Sequence, residues 1–302
     1  MGVLKIVGAL MLCGSLAGAI QTASASDPPV NELGTLRADV AAQPNDPESH
    51  FRLGDALEKS GDLIGAESEY KKSVALQAKN PSALGALAYL YFTQKRFSEA
   101  EAALRSFIAL QPQDARAHVQ LGSVLFSSAK KDEASTELTA ALGLAPSDPG
   151  VLMQIAQLYS SNEMYSQAEP QFAALTRIVP NNPESHYGHG VVLLRLKNFP
   201  AAQVELQRAV SLQPNLKEAY GDLAVAAAEN KNYAMAIQAL DARARFLSES
   251  PGTYFLRATS YDHLKQFAPA ADNYRKFLAA DAGKSPNQEW QAKHRLVAIE
   301  KK

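Results

Sequence analysis

Histidine is the residue type best placed to do chemistry in this 302-residue chain, and three of its six histidines, His50, His118 and His186, recur at intervals of 68 residues. Imidazole serves as a metal ligand and as a general acid or base, but a shared ion needs all its ligands within a few ångströms. Helices packed about 8–10 Å apart would leave rings at that interval about 20 Å from one another, too far for one ion. His186 and His189 lie three apart and could meet a common ligand on one helix, yet no Asp, Glu or Cys at ligand spacing completes a set. The zinc-peptidase pattern His-Glu-x-x-His is absent. Gly188-His189-Gly190 begins like a glycine-rich phosphate loop but follows no strand and lacks the third glycine. Gly283-Lys284-Ser285 carries only the last letters of a P-loop, without its upstream glycine. These residues predict no catalytic centre, no metal and no cofactor, and the chain reads as a non-enzyme.

Composition narrows the field further. Lys and Arg number 30 against 31 Asp and Glu, and no basic run is dense enough to follow a phosphate backbone, so nucleic acid is excluded as a partner. With 46% apolar residues the chain can bury a large core. Lys5 precedes an uncharged, largely apolar stretch, Ile6 to Ile20, and Ala23-Ser24-Ala25 supplies the small-x-small pattern of a cleavage site. That stretch is shorter than the roughly 20 residues needed to span a bilayer. Residues 1–26 therefore read as a signal peptide, with a retained N-terminal anchor as the lesser alternative. Cys13, the only cysteine, falls within it, so the mature chain has no thiol and no disulfide.

The elements that organise the rest repeat every 34 residues. Ala66, Ala100, Ala134, Ala168, Ala202, Ala236 and Ala270 form one column. Gly54, Ala88, Gly122, Ala156, Gly190, Ala224 and Ala258 form a second, also small. A third is aliphatic except at His189 and Arg257: Leu53, Leu87, Leu121, Ile155 and Leu223. A fourth is large and apolar: Tyr70, Leu104, Leu138, Phe172, Leu206, Leu240 and Tyr274. Small residues facing small residues allow two helices to cross closely, and large ones fill the space beside the crossing. Short polar turns such as Lys95-Arg96 and Lys197-Asn198 join the helices, and an aromatic often follows: Phe97, Tyr165, Phe199, Tyr233, Phe267. Lys131 breaks that rule. Prolines mark the joints, with Pro112, Pro146, Pro180 and Pro214 closing repeats and Pro47, Pro81, Pro149, Pro183 and Pro251 opening them, while Ser248 and Ala282 replace the closing proline.

The period, the small-residue columns, the aromatics and the prolines together resemble the tetratricopeptide repeat family over residues 47–284. The resemblance implies an all-α fold, a right-handed superhelical solenoid of about seven helix-turn-helix repeats with terminal capping helices. The predicted repeats are 47–80, 81–114, 115–148, 149–182, 183–216, 217–250 and 251–284. Residues 27–46 are predicted to be an N-terminal half-repeat, with one helix over Val30–Gln43, and residues 285–302 a C-terminal capping helix carrying Trp290, Leu296, Val297 and Ile299. Terminal caps with polar outer faces protect the ends of such arrays.

Membership would also imply a function. In this family the first helix of each repeat lines an inner wall that receives a peptide. Its inward positions here include Phe51, Tyr89, Phe92, Val119 and Phe126, then Met153, Gln157, Tyr187, Val191, Leu194 and Arg195, and further on Val225, Phe255, Thr259 and Asp262. Rigid aromatics and Met are enriched in contact patches, although any one ring could equally serve the core. The family's other mode, a basic clamp of Lys and Asn on a terminal carboxylate, finds neither residue type at these positions. The expected function is a protein- or peptide-binding scaffold acting outside the cytoplasm, periplasmic or secreted, with no stable membrane insertion once the signal is removed. Self-assembly into a structural envelope protein is the rival reading.

Cleavage after the small-residue motif predicts a mature protein beginning at Ser26 or Asp27. N-terminal sequencing from the envelope fraction checks this. An intact Met1 or a lipidated Cys13 would refute it.

Overall fold

A computed structural model describes residues 30–301, which form sixteen α-helices and no strand. The predicted signal peptide, with Cys13, lies outside the described residues. The first helix is α1 (Val30–Ala42). Three antiparallel pairs follow, α2 (Pro47–Lys59) with α3 (Leu63–Leu76), α4 (Pro81–Thr93) with α5 (Phe97–Leu110) and α6 (Ala115–Ser127) with α7 (Lys131–Leu144), and then come α8 (Pro149–Ser161) and α9 (Tyr165–Ile178). Three more pairs are α10 (Pro183–Arg195) with α11 (Phe199–Leu212), α12 (Lys217–Glu229) with α13 (Tyr233–Ala244), and α14 (Pro251–His263) with α15 (Phe267–Asp281). The last helix is α16 (Pro286–Glu300). None of the described helices is long and apolar enough to cross a membrane.

Each first helix starts where a short polar side chain can cap it. Asp46 accepts from the N–H of Ser49 at 2.9 Å, Asn80 from Ala83, Asp114 from Arg116 and Ala117, and Asn182 from Ser185 at 2.7 Å. The N–H of Val151 likewise donates to Asp148, and Ser250 closes a reciprocal box with Thr253. Such caps stabilise a helix by about 1 kcal/mol each. Proline at the first helical position costs nothing, because its missing N–H would be unpaired there. The exception is α12, where Leu216 offers no cap.

The turn inside each repeat depends on one left-handed residue. Gly61 has φ +86°, and Lys95, Ala129, Glu163, Lys197, Lys231 and Lys265, in the same column, have φ between 58° and 62°. The left-handed turn brings the N–H of Arg96 to the carbonyl of Tyr91 at 2.8 Å and that of Lys95 to Phe92 at 2.9 Å, satisfying carbonyls the helix end leaves open.

Packing follows the small-residue columns. All seven alanines from Ala66 to Ala270 are fully buried, and so is the large column from Tyr70 to Tyr274. A Cβ added at Gly54 would come within 2.6 Å of the Tyr70 ring, at Gly122 within 2.6 Å of Leu138, and at Gly190 within 2.6 Å of Leu206. Side chain of the fourth column thus lies directly over backbone of the second. The helices group into two compact halves, divided between Val151 and Leu152. In the first half, Leu84, Phe107 and Ala117 knit α4, α5 and α6 together. In the second, Leu193, Leu206, Leu223 and Leu240 form one cluster and Tyr274, Phe277, Ala292 and Ile299 another.

Departures from the sequence pattern have local remedies. Arg257, in the aliphatic column, places its guanidinium on Asp241 and on Glu249, the latter at 2.6 Å. In the last two repeats α13 stops two residues short of its counterparts, and α15 runs one residue longer and ends on left-handed Ala282. The C-terminal cap is less polar than expected. Ala292 and Ile299 are buried, but Trp290 is 61% exposed, its ring tilted 34° against that of His294 at 4.0 Å.

The left-handed column generates a paired test. Gly61→Ala adds a methyl group that meets no neighbour within 4 Å, so its cost is purely conformational. It should lower stability by about 1 kcal/mol, while Ala129→Gly should raise it by a similar amount. Urea unfolding of both variants reads the two signs, and shifts of the same sign would contradict this turn.

Candidate partner-binding surface

The first-helix positions divide sharply by exposure. In the first half, Tyr89 on α4 is 43% exposed, a large ring standing in solvent. Phe92, one turn on, is half-buried with its ring 5.9 Å from that of Phe97 on α5. Between them opens a narrow crevice of about 20 Å³ lined by Ala88, Tyr89, Phe92, Leu104, Gln120 and Val124. Its volume admits a water molecule or a methyl group, not a ligand, so this face is a surface rather than a pocket. Phe51 on α2 is half-buried, 5.8 Å from the Tyr70 ring. Val119 and Phe126 on α6 are buried, Phe126 at 8% exposure, and belong to the core.

In the second half, Met153 on α8 is half-buried and Gln157 exposed. On α10, Tyr187, Val191 and Leu194 are half-buried against the Leu193–Leu206–Leu223 cluster, and Arg195 is exposed. The Tyr187 hydroxyl donates to Asp222 on α12 at 3.1 Å. Burial first, and then the adjacent Asp222 carboxylate, push the Tyr187 phenol upward. Burial also raises the Asp222 carboxyl, against the opposing pull of the Tyr187 bond and Arg195. Val225 on α12 is exposed. On α14, Phe255 packs 5.0 Å from Phe277, and Asp262 receives two 2.6 Å bonds from Arg295 of α16. That part of the predicted wall is therefore occupied by the chain's own last helix.

Histidine partners missed by spacing come from other helices. Glu205 on α11 lies 2.6 Å from His186 Nδ1 and 3.7 Å from His189 Nδ1, and Glu169 on α9 lies 3.4 Å from His189 Nε2. Even so, no group of three or more ligating side chains is arranged around a metal position among the described residues. Gly188 and Gly190 sit inside α10 with their hydrogens against Phe172 and Leu206. They serve close packing, not phosphate.

What the surface offers chemically is apolar area with scattered hydrogen-bonding groups. In the first half Tyr89 and Phe92 present rings with Gln120 lining the same crevice, and in the second half Tyr187, Val191 and Leu194 lie on α10 with Arg195. No side chain among them is arranged as a nucleophile with a base.

Comparison with known proteins bears on the fold. Models of the tetratricopeptide repeat match residues 58–125, 115–148 and 153–215, together just over half of the chain. A segment of 61 residues is 44% identical to the cellulose synthase operon protein C of Xanthomonas axonopodis pv. citri (strain 306). That match takes in 20% of this chain but only 4% of the relative. The solved C-terminal part of a repeat-containing protein from Cytophaga hutchinsonii is 17% identical, with a TM-score of 0.63 over 79% of this chain and 98% of that one. YrrB, described as a repeat protein with an unusual peptide-binding site, is 21% identical, with a TM-score of 0.52 over 62% of this chain and 96% of its own. With helix pairs starting every 34 residues, small columns at each crossing and these matches in sequence and fold, the chain belongs to the tetratricopeptide repeat family.

Proposed function

We propose that this protein is a non-catalytic, exported interaction scaffold that holds a partner segment against its first helices by apolar contact. The observation that carries this reading is Tyr89, an aromatic side chain left 43% exposed beside half-buried Phe92 and above the crevice they share. Exposed rings on a rigid helix lose little conformational freedom on binding and commonly supply the anchors of an interface. The half-buried side chains of Tyr187, Val191 and Leu194 offer a second such face on α10, with Arg195 at its edge. A near-neutral composition fits recognition by shape and apolar area. The similarity to YrrB, a peptide binder by its description, agrees with this at the level of fold. Export rests on the pattern in residues 1–26. The relative from a cellulose synthase operon shares only a short repeat segment and lends this chain no substrate.

Self-association is the rival, favoured by Trp290 and Val297, which stand exposed on α16. Sedimentation velocity on the mature chain separates the two. A monomer up to high concentration leaves the scaffold reading, and a dimer that Trp290→Ala abolishes would favour the rival.

Once a partner is captured by crosslinking from the envelope, Tyr89→Ala should weaken its binding tenfold or more in titration calorimetry, because burying an aromatic is worth roughly 1.5–3 kcal/mol. Lys131→Ala, an exposed change on a second helix, should leave affinity unchanged. Raising salt to physiological strength should also change it little, since exposed ion pairs are each worth under about 1 kcal/mol. Phe126→Ala is the stability control, since emptying a buried site of that size costs about 3–5 kcal/mol whether or not a partner is present. Equal affinities for Tyr89→Ala and Lys131→Ala would place the partner elsewhere.

A further inference from the structure

Three repeats contain the same arrangement of imidazole, carboxylate and main chain. His50 Nδ1 lies 2.6 Å from Glu69 Oε2, and its Nε2 lies 3.0 Å from the carbonyl oxygen of Pro44. His118 reaches Glu137 at 2.7 Å and the carbonyl of Pro112 at 3.2 Å. His186 reaches Glu205 at 2.6 Å and the carbonyl of Pro180 at 3.0 Å. In every case the carboxylate is 19 residues ahead, on the second helix of the repeat, and the carbonyl is six residues behind, in the joint before the first helix.

The bonding demands follow from the atoms. A main-chain carbonyl can only accept, so each Nε2 must carry a proton. An ionised carboxylate can only accept as well, so each Nδ1 must carry one too. Neutral imidazole has a single N–H and cannot supply both, whereas imidazolium supplies both. The carboxylates are suited to the ionised role. Burial would raise Glu69, but hydrogen bonds from Lys72 and His50 outweigh it and hold its carboxyl below the usual range. Burial of Glu205 is likewise outweighed by His189 and His186.

Other repeats show what the position does when it holds no histidine. Leu84 and Leu152 fill the same column with buried aliphatic side chains. Tyr220 fills it with a hydroxyl that donates to the carbonyl of Pro214 at 2.9 Å, again six residues behind.

We propose that His50, His118 and His186 are proton-dependent clamps, which as imidazolium tie the joint preceding a repeat to that repeat's second helix and which release one tie when the ring loses a proton. Charged neighbours differ among the three. Glu69 also holds Lys72, Glu137 stands 4.0 Å from Arg105 of α5, and Glu205 stands beside His189, itself next to Glu169. The sign is fixed by the bonding. Stability from a clamp is present while the ring is doubly protonated and is lost when the ring gives up one of its two protons. Towards acid it persists until pH falls through the depressed range of Glu69 and Glu205. This inference concerns stability of the joints and does not depend on any partner.

Two measurements test it. Two-bond proton–nitrogen NMR correlation on protein labelled at histidine should show three rings with both nitrogens protonated that convert to a single N–H on raising the pH. Amide exchange, corrected for intrinsic rates, should show protection in joints 44–49, 112–117 and 180–185 falling about tenfold between the pH at which NMR finds these rings doubly protonated and the pH at which it finds a single N–H. The joints before Leu84 and Leu152 should not change. Combined His50→Leu, His118→Leu and His186→Leu adopts the residue of those neighbouring repeats and should abolish the pH response. If that variant does not fold, Glu137→Gln provides the alternative, because an amide can pair with a neutral ring and should flatten the response of joint 112–117 alone. Neutral rings throughout the range, or joints that loosen equally with and without a histidine, would overturn the proposal.

Discussion

Everything in this fold depends on how closely two helices of one repeat can approach. At Gly54, Gly122 and Gly190 there is no room for one more carbon, since a methyl group would stand 2.6 Å from the side chain opposite. Across the crossing, the second helix always contributes a fully buried alanine. That contact sets the interhelix distance, and the distance in turn lets Tyr70, Leu138 or Leu206 lie flat over the neighbouring backbone. Where alanine takes the glycine's place, at Ala88, Ala156, Ala224 and Ala258, it too is buried. Close approach is therefore met by small residues in every repeat, and larger residues vary around it.

Keeping the crossing in register requires that both helices begin and end at fixed points. Caps from Asp46 to Ser250 set the start of the first helix, and the left-handed residue two positions after its end sets where the second begins. Because those signals are local, a fault in one repeat need not spread by way of the chain path. It spreads through packing against the next repeat, which is the nearest-neighbour coupling expected of solenoids. Arg257 illustrates the tolerance this confers. It occupies a place where leucine is usual, and Asp241 and Glu249 come from its own neighbourhood to pair it. His189 is met less fully, with Glu169 3.4 Å from its Nε2 and Glu205 3.7 Å from its Nδ1, which makes no hydrogen bond.

Most of the fold was legible in the residues, because steric columns leave a one-letter trace: alanine seven times at one position can mean little else. The turn was less legible. Gly61 announces a left-handed residue, but Lys95, Glu163 and Lys197 adopt the same φ without any residue preference to reveal it, held there by the carbonyls they satisfy. The candidate surface was half legible. Spacing placed both on the first helices of their repeats but could not distinguish Tyr89, which faces solvent, from Phe126, which is core. Burial of an aromatic depends on the size of residues two helices away, and no single column records that. The histidine clamps were readable in principle. Glu69, Glu137 and Glu205 recur at the same 68-residue interval as His50, His118 and His186, so the two alternations run in step. Reading the histidines alone, as metal ligands, hid the partner column.

The clamps and the exposed wall occupy the same first helices but rely on opposite physics. Half-buried Phe51 and Tyr187 each directly follow a clamp histidine in the chain, so the backbone that carries these side chains is the backbone the proposed clamp would steady. Apolar contact is indifferent to small changes in pH, whereas a paired imidazolium is not. A protein that recognised its partner with charged groups would find recognition and rigidity titrating together. Here the wall's rings and aliphatic side chains carry no proton that matters near neutrality, and the titrating groups lie behind them at the joints. Under the two proposals affinity and stiffness are set separately: the first by which ring faces solvent in a given repeat, the second by whether that repeat places histidine or leucine in one column.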